Sequence, residues 1–143
     1  VAGAFVAAHP VVIESLIQTA RPYIYTTATP PLLARALGAA LALIRDDHAR
    51  RADLHARIAR FRAGAAALPW SLLPSLTAIQ PLVVGDSRAA SALSARLHGQ
   101  GIWVPAIRPP TVPAGTARLR VSLSAAHTEA DIDTLLDALA AAA

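Results

Sequence analysis

No lysine, methionine or cysteine occurs anywhere in the 143 residues. Each absence removes a class of chemistry. Without a lysine amine the chain cannot form a Schiff base at a side chain, and without cysteine it has no thiolate nucleophile and no disulfide. Charge is also scarce, at 15% against 55% hydrophobic residues, which excludes a disordered tail. All 13 basic residues are arginine and the formal net charge is +4, but the arginines are dispersed and often sit beside acids. That distribution argues against a nucleic-acid partner. The charge-free run 36–44 lies between Arg35 and Arg45 and is far shorter than the roughly 20 residues a bilayer requires, so no membrane partner is expected. No basic stretch precedes an apolar one as in a secretory leader, and a cytoplasmic location is the default expectation. The chain opens at Val1 inside the apolar run VAGAFVAA, which reads as the interior of a longer protein.

What is present is the pattern of an α/β chain. Gly3 to Ala8 suits a short buried strand, and His9-Pro10 then opens a helix with Val12, Leu16 and Ala20 as its apolar stripe. The segment RPYIYTTATPP (21–31) predicts an ordered extended stretch that ends in a helix start at Thr29-Pro30-Pro31. Helical periodicity then runs from Leu32 to about Ala67, as one long helix with an apolar first half and a charged second half. Asp46 with Arg50, Asp47 with Arg51 and Asp53 with Arg57 are spaced as i,i+4 pairs along it. The change in character predicts a helix leaving one domain (residues 1–45) and entering another (46–143). Further on, a strand at Ala78 to Val84 is followed by a Gly85-Asp86 turn and cap. A helix from about Arg88 to His98 ends at Gly99 and Gly101, and a strand follows at Ile102 to Ile107. Ala117 to Ser124 alternates Leu119, Val121 and Leu123 against Arg118, Arg120, Ser122 and Ser124. Thr128 with Asp131 makes a capping box for a last helix that buries Ile132, Leu135, Leu136 and Leu139.

The loop from Arg108 to Thr116, RPPTVPAGT, is the most unusual local feature. Three prolines fix φ along it, so Thr111 is held rather than flexible. Arg108 and Arg120 can both be read as pointing into one cleft, where a guanidinium takes a carboxylate through two parallel hydrogen bonds. They can equally be read as surface arginines whose stems cover a sheet. Tyr25-Thr26-Thr27 offers hydroxyls suited to an anion such as phosphate, or simply to a turn. Five histidines (9, 48, 55, 98 and 127) show no metal-ligand spacing. His127 reads as a helix-entry residue. No G-x-S-x-G, Walker or dinucleotide-binding motif is present.

The stretches RPYIYTTATPP (21–31), AIQPLVVGD (78–86) and GIWVPAIRPPTVPAGTARLRVSLSAAHTEADID (101–133) resemble the C-terminal part of the α-oxoamine synthases, as does the opening VAGAFVA. These form a family of fold type I enzymes that use pyridoxal phosphate. Within it, the wording IRPPTVPAGTARLR, with two prolines after Arg108, is most similar to the alanine-using members, although glycine- and serine-using siblings share parts of it. The resemblance implies a fold made of the end of the large cofactor-binding domain plus the C-terminal small domain, a short sheet covered by helices. It implies a homodimeric acyltransferase that condenses L-alanine with a pimeloyl thioester, of coenzyme A or acyl carrier protein, to 8-amino-7-oxononanoate for biotin biosynthesis. Arg120 then matches the arginine that grips the amino-acid carboxylate, Arg108 a second arginine near it, and Thr111 a substrate-contacting threonine. Thr26 and Thr27 match an element that reaches the cofactor phosphate of the neighbouring subunit. The family's cofactor lysine falls upstream of the position matching Val1, so no catalytic residue is expected here and the chain alone is expected to be inactive. The competing expectation is a non-catalytic carboxylate-binding module.

Overall fold

The computed structural model describes residues 5–143, which separate into two compact units divided between Asp47 and His48. Gly3 and Ala4 of the strand expected at 3–8 lie outside the described residues, and Phe5 to Ala8 form no strand. In the first unit, α1 (Pro10–Thr19) starts with proline at its first turn, and His9 Nδ1 accepts from the Val11 amide at 3.3 Å. The segment after it is not extended throughout. Arg21–Ile24 forms a single helical turn, α2, closed by the Tyr25 amide on the Arg21 carbonyl, and Arg21 lies over the Tyr25 ring at 5.9 Å. Thr26 to Pro30 follows without regular structure. Helix α3 (Pro31–Asp46) is entered through Pro30, not capped by Thr29. Two consecutive prolines set φ for helix entry, so the turn forms without a side-chain cap. No described residue of α1, α2 or α3 is fully buried; Val12 is 48% and Leu16 37% exposed. Of the expected α1 stripe, Val12 and Leu16 are exposed and Ala20 is half-buried among the described residues.

The single long helix expected from Leu32 to Ala67 is in fact two. Asp47, at φ −87° and ψ 74°, leaves the helical region between α3 and α4 (His48–Ala65). Asp46 is held by its neighbour Arg45 at 2.7 and 2.9 Å. Arg57, expected to pair with Asp53, instead donates to the His127 carbonyl at 2.9 Å and to Glu129 at 3.4 Å.

In the second unit, β1 (Ser71–Leu72), β2 (Ile79–Gly85), β3 (Ala106–Ile107) and β4 (Ala117–Ser122) form one antiparallel sheet in the order β1-β2-β4-β3. Strand β1 carries no sequence alternation because it is two residues long, and only the last two residues of the strand expected at 102–107 pair. Helices α5 (Ser87–Gly99) and α6 (Glu129–Ala141) complete the unit. Asp86 accepts from the amides of Arg88 and Ala89 to cap α5, and the Thr128–Asp131 capping box opens α6.

The core forms where period two on the strands meets period 3.6 on the helices. Leu82, Leu119 and Val121 from one sheet face pack with Phe61 of α4, Leu93 and Leu97 of α5, and Ile132 and Leu139 of α6. Each such side chain contributes roughly 1.5–3 kcal/mol by leaving water. Arg60 of α4 straps α6 with two 2.7 Å hydrogen bonds to Asp133. The consequence for function is a sheet with one buried face and one open face.

Candidate functional site

The open face is set by β4. Leu119 and Val121 point into the core, so alternation places Arg118, Arg120 and Ser122 opposite, and Arg120 and Ser122 are exposed. Their neighbours across the ladder are Val83 and Ile107 for Arg118, Pro81 for Arg120 and Ile79 for Ser122. Two cations thus stand on a strip that, Ser122 apart, is apolar. The Arg120 amide is tied to the Pro105 carbonyl at 2.9 Å, which anchors the backbone beneath its side chain.

The loop that feeds β4 is held at both ends. The Thr111 amide donates to the Arg108 carbonyl at 3.0 Å across a cis Pro109–Pro110 peptide. At the other end Gly115 takes φ +75°, a conformation open to glycine, and Thr116 turns back on Pro113. Gly85 takes φ +94° at the bulge where β2 meets this loop, and a Cβ there would stand 3.7 Å from the Gly115 carbonyl oxygen.

Arg108 and Arg120 do not share a cleft, contrary to the expectation from sequence. Arg108 lines a hollow of about 420 Å³ with Ser91, Ser94, His98 and Trp103. Arg120 lines a second, of about 820 Å³, with Ser122, His127 and Trp103. The reason is the pleat: Ile107 shares the open face through its pairing with Arg118, so the next residue turns the other way. The hollows are contiguous, sharing Trp103, Val104 and Pro105. Trp103 is 77% exposed, and His98 meets its ring edge-on at 5.5 Å.

The guanidinium of each of these two arginines has no hydrogen bond or ion pair among the described residues. Most other arginines of the unit are committed: Arg57 and Arg60 to acids of α6, Arg62 to the Gln80 amide, Arg96 to the Ala142 carbonyl, Arg118 to Thr116. Arg88 on α5 is the third uncommitted one. Thr111 is exposed in the loop between the two. Thr26 and Thr27 belong to the first unit, where both are exposed and their hydroxyls have no partner among the described residues.

Sequence reading missed two features. His127 is more than a helix-entry residue: its Nδ1 accepts from the Ser124 amide at 3.1 Å, which leaves the proton on Nε2 in the neutral ring, and it lines the Arg120 hollow. The pairing of Arg118 with Thr116 was also missed, since alternation alone treats Arg118 and Arg120 alike. Beside His127, Asp131 lies below the ordinary carboxylate range because the Thr128 amide and then its hydroxyl donate to it. Among the described residues no group of three or more His, Asp or Glu could hold a metal ion.

The chain is similar to proteins whose names bear on this site. It is 63% identical over 139 residues to the 8-amino-7-oxononanoate synthase of Dechloromonas aromatica (strain RCB), covering 97% of this chain and 36% of the relative. It is 62% identical to the 8-amino-7-oxononanoate synthase of Cupriavidus taiwanensis, covering 99% and 37%. The chain therefore spans little more than a third of the length of the curated relatives it matches. Among solved structures, the 8-amino-7-oxononanoate synthase of Francisella tularensis superposes with a TM-score of 0.78 at 30% identity, over 93% of this chain and 39% of that one. A serine palmitoyltransferase from S. paucimobilis, with bound PLP and myriocin, superposes with a TM-score of 0.83 at 31% identity, over 94% and 34%. The model of the aminotransferase class I and II family matches residues 1–139, and the chain belongs to that family.

Proposed function

We propose that this chain is the C-terminal portion of an 8-amino-7-oxononanoate synthase, a pyridoxal phosphate-dependent acyltransferase. The complete protein condenses L-alanine with a pimeloyl thioester, releasing carbon dioxide and the thiol carrier. The observation that carries the reading is the pair of uncommitted guanidiniums, Arg108 and Arg120, flanking an anchored loop in a unit whose arginines are otherwise mostly engaged. A free arginine on a largely apolar strip is suited to a small carboxylate, because the fork offers two parallel donors and the one acid lining the hollow, Asp131, is already held by the Thr128 amide and hydroxyl. Relatives at 56–63% identity, all named for this synthase, support alanine over the serine of the transferase at 31%.

Pyridoxal phosphate supplies the electron sink for removing the Cα proton and for decarboxylation. The residues present suit the edges of that group rather than its anchor, since the chain holds no lysine. Thr26 and Thr27, whose exposed hydroxyls have no partner among the described residues, would donate to its phosphate. Arg120 binds and orients the alanine carboxylate, Arg108 adds a second cation in the adjoining hollow at the other end of the loop, and Thr111 contacts substrate from the loop. The first unit is the end of the large domain and the second is the small domain. The threonine pair serves the site of a neighbouring subunit, so the enzyme is a homodimer, working in the cytoplasm. No helix among the described residues is long and apolar enough to cross a membrane.

The test is substrate choice by the complete protein. With pimeloyl thioester supplied, L-alanine should give kcat/KM at least about tenfold above glycine or L-serine. A preference for serine with a long-chain thioester would replace this reading with that of the sibling transferase.

A further inference from the structure

Arg118 and Arg120 stand on the same face of β4, two residues apart, yet their guanidiniums have opposite fates. Arg120 reaches no partner among the described residues. Arg118 is half-buried, its stem flanked across the ladder by Val83 and Ile107. Its Nε donates to the Thr116 carbonyl at 2.9 Å and its Nη2 to the Thr116 hydroxyl at 3.0 Å. That hydroxyl has one proton, and it donates to the Pro113 carbonyl at 2.8 Å, where the Thr116 amide also converges at 3.2 Å. The bonds therefore run in one direction, from guanidinium to hydroxyl to carbonyl, an arrangement in which each bond polarises the next.

The place of this clamp is what gives it a purpose. Prolines 109, 110 and 113 fix φ over much of the loop, which leaves Gly115, at φ +75°, as its softest joint. The clamp closes immediately after that glycine. At the other end, the Thr111 amide is tied to the Arg108 carbonyl. A loop made stiff by proline, tied at its start and clamped at its hinge, moves as one body, so the hinge clamp sets where Thr111 stands relative to β4 and Arg120.

We propose that Arg118 is a positioning residue, which acts through Thr116 to hold the Arg108–Thr116 loop, and with it Thr111, in register with the carboxylate-binding Arg120. This rests on the functional reading of Arg120 and Thr111 given above. Arg118 is then no substrate ligand, although it neighbours one.

The experiment compares R118A, R118K, T116V, T116S and the double variant R118A/T116V in the complete synthase. Steady-state kinetics are read alongside hydrogen exchange of the amides of residues 111–117. R118A and T116V should each raise KM for L-alanine roughly five- to tenfold with a smaller change in kcat, and each should speed exchange across the loop. The double variant should be no worse than the worse single one, because both break the same chain. T116S keeps the hydroxyl and should restore slow exchange and low KM, whereas R118K should not, since an ammonium cannot reproduce the two-point fork. Additive losses, or unchanged exchange in both R118A and T116V, would overturn the clamp. Faster exchange with alanine KM unchanged, while R120A raises that KM, would overturn its positioning role. If R120A itself leaves alanine KM unchanged, the functional reading fails, and exchange alone then judges the clamp. Should R118A not fold, the near-isosteric T116V makes the same decision.

Discussion

Arg62 Nη1 donates to Gln80 Oε1 at 2.7 Å, and Gln80 is the buried polar side chain among the described residues, with no solvent exposure. The Gln80 amide nitrogen reaches the Thr77 carbonyl at 2.6 Å and the Ser75 carbonyl at 3.4 Å, and Arg62 also reaches the Leu73 carbonyl at 3.3 Å. One side chain of α4 thus completes the hydrogen bonding of the turn between β1 and β2. A buried amide is tolerable only when every polar atom has a partner.

Arg62→Ala leaves the Gln80 oxygen buried without its donor. The expected loss is about 1–3 kcal/mol in urea unfolding, with the m-value unchanged. A loss below about 0.5 kcal/mol would mean that water replaces the guanidinium and that the strut is not stabilising.

Neighbouring residues of β4 should separate stability from function. Leu119 is fully buried, so Leu119→Ala should cost about 2–5 kcal/mol. Arg120 is exposed and unpaired, so Arg120→Ala should cost within about 0.5 kcal/mol while raising the alanine KM of the complete synthase about tenfold or more. Parallel losses of alanine and acyl-donor binding in Arg120→Ala would show a supporting role only.

Acid should act through α6. The Arg60 guanidinium, bonded to Asp133, lowers the pKa of that carboxyl, and the Thr128 amide and hydroxyl lower that of Asp131. A group depressed in the folded state adds stability that is present above its unfolded pKa and disappears as pH falls through the folded one. Stability should therefore hold from neutral pH to about pH 5 and decline below about pH 4. Asp133→Asn removes the pair with Arg60 and should make that acid limb shallower, which thermal unfolding at a series of pH values will measure. An unchanged limb would place the acid sensitivity elsewhere.

With no lysine in the sequence, the chain alone mixed with pyridoxal phosphate and borohydride should gain no reduced adduct on a side chain. Peptide mass mapping checks this. A specific side-chain adduct would sink the assignment of the cofactor's anchor to a segment beyond this chain.

Strand β4 and helix α6 were legible in the sequence because their signals are local. Strict alternation and a capping box each specify structure without help from distant residues. The break at Asp47 was legible only as a change from apolar to charged residues, not as an end of helix: acids and arginines suit an exposed helix, and neither glycine nor proline marks the spot. The turn at Arg21–Ile24 was hidden for a related reason, since threonines and prolines downstream gave the whole segment an extended look. At the site, the loop and its arginines stood out as types. Which arginine is free and which is spent could not be read, because alternation fixes the face of a side chain but not its partner. Only the return of Thr116 onto Pro113, a product of the loop's path, decides that Arg118 is occupied.

The brevity of β1 and β3 has a consequence for how an open sheet face is kept safe. Each outer strand offers just two residues of ladder, and prolines stand close by: Pro69 and Pro74 around β1, Pro105 directly before β3, Pro109 and Pro110 soon after it. A stray chain seeking to add itself to an outer strand would find only two residues of ladder there, interrupted by proline on either side. Edge-to-edge strand pairing is discouraged at these rims, so the exposed strip that carries Arg120 can stay uncovered for a small ligand.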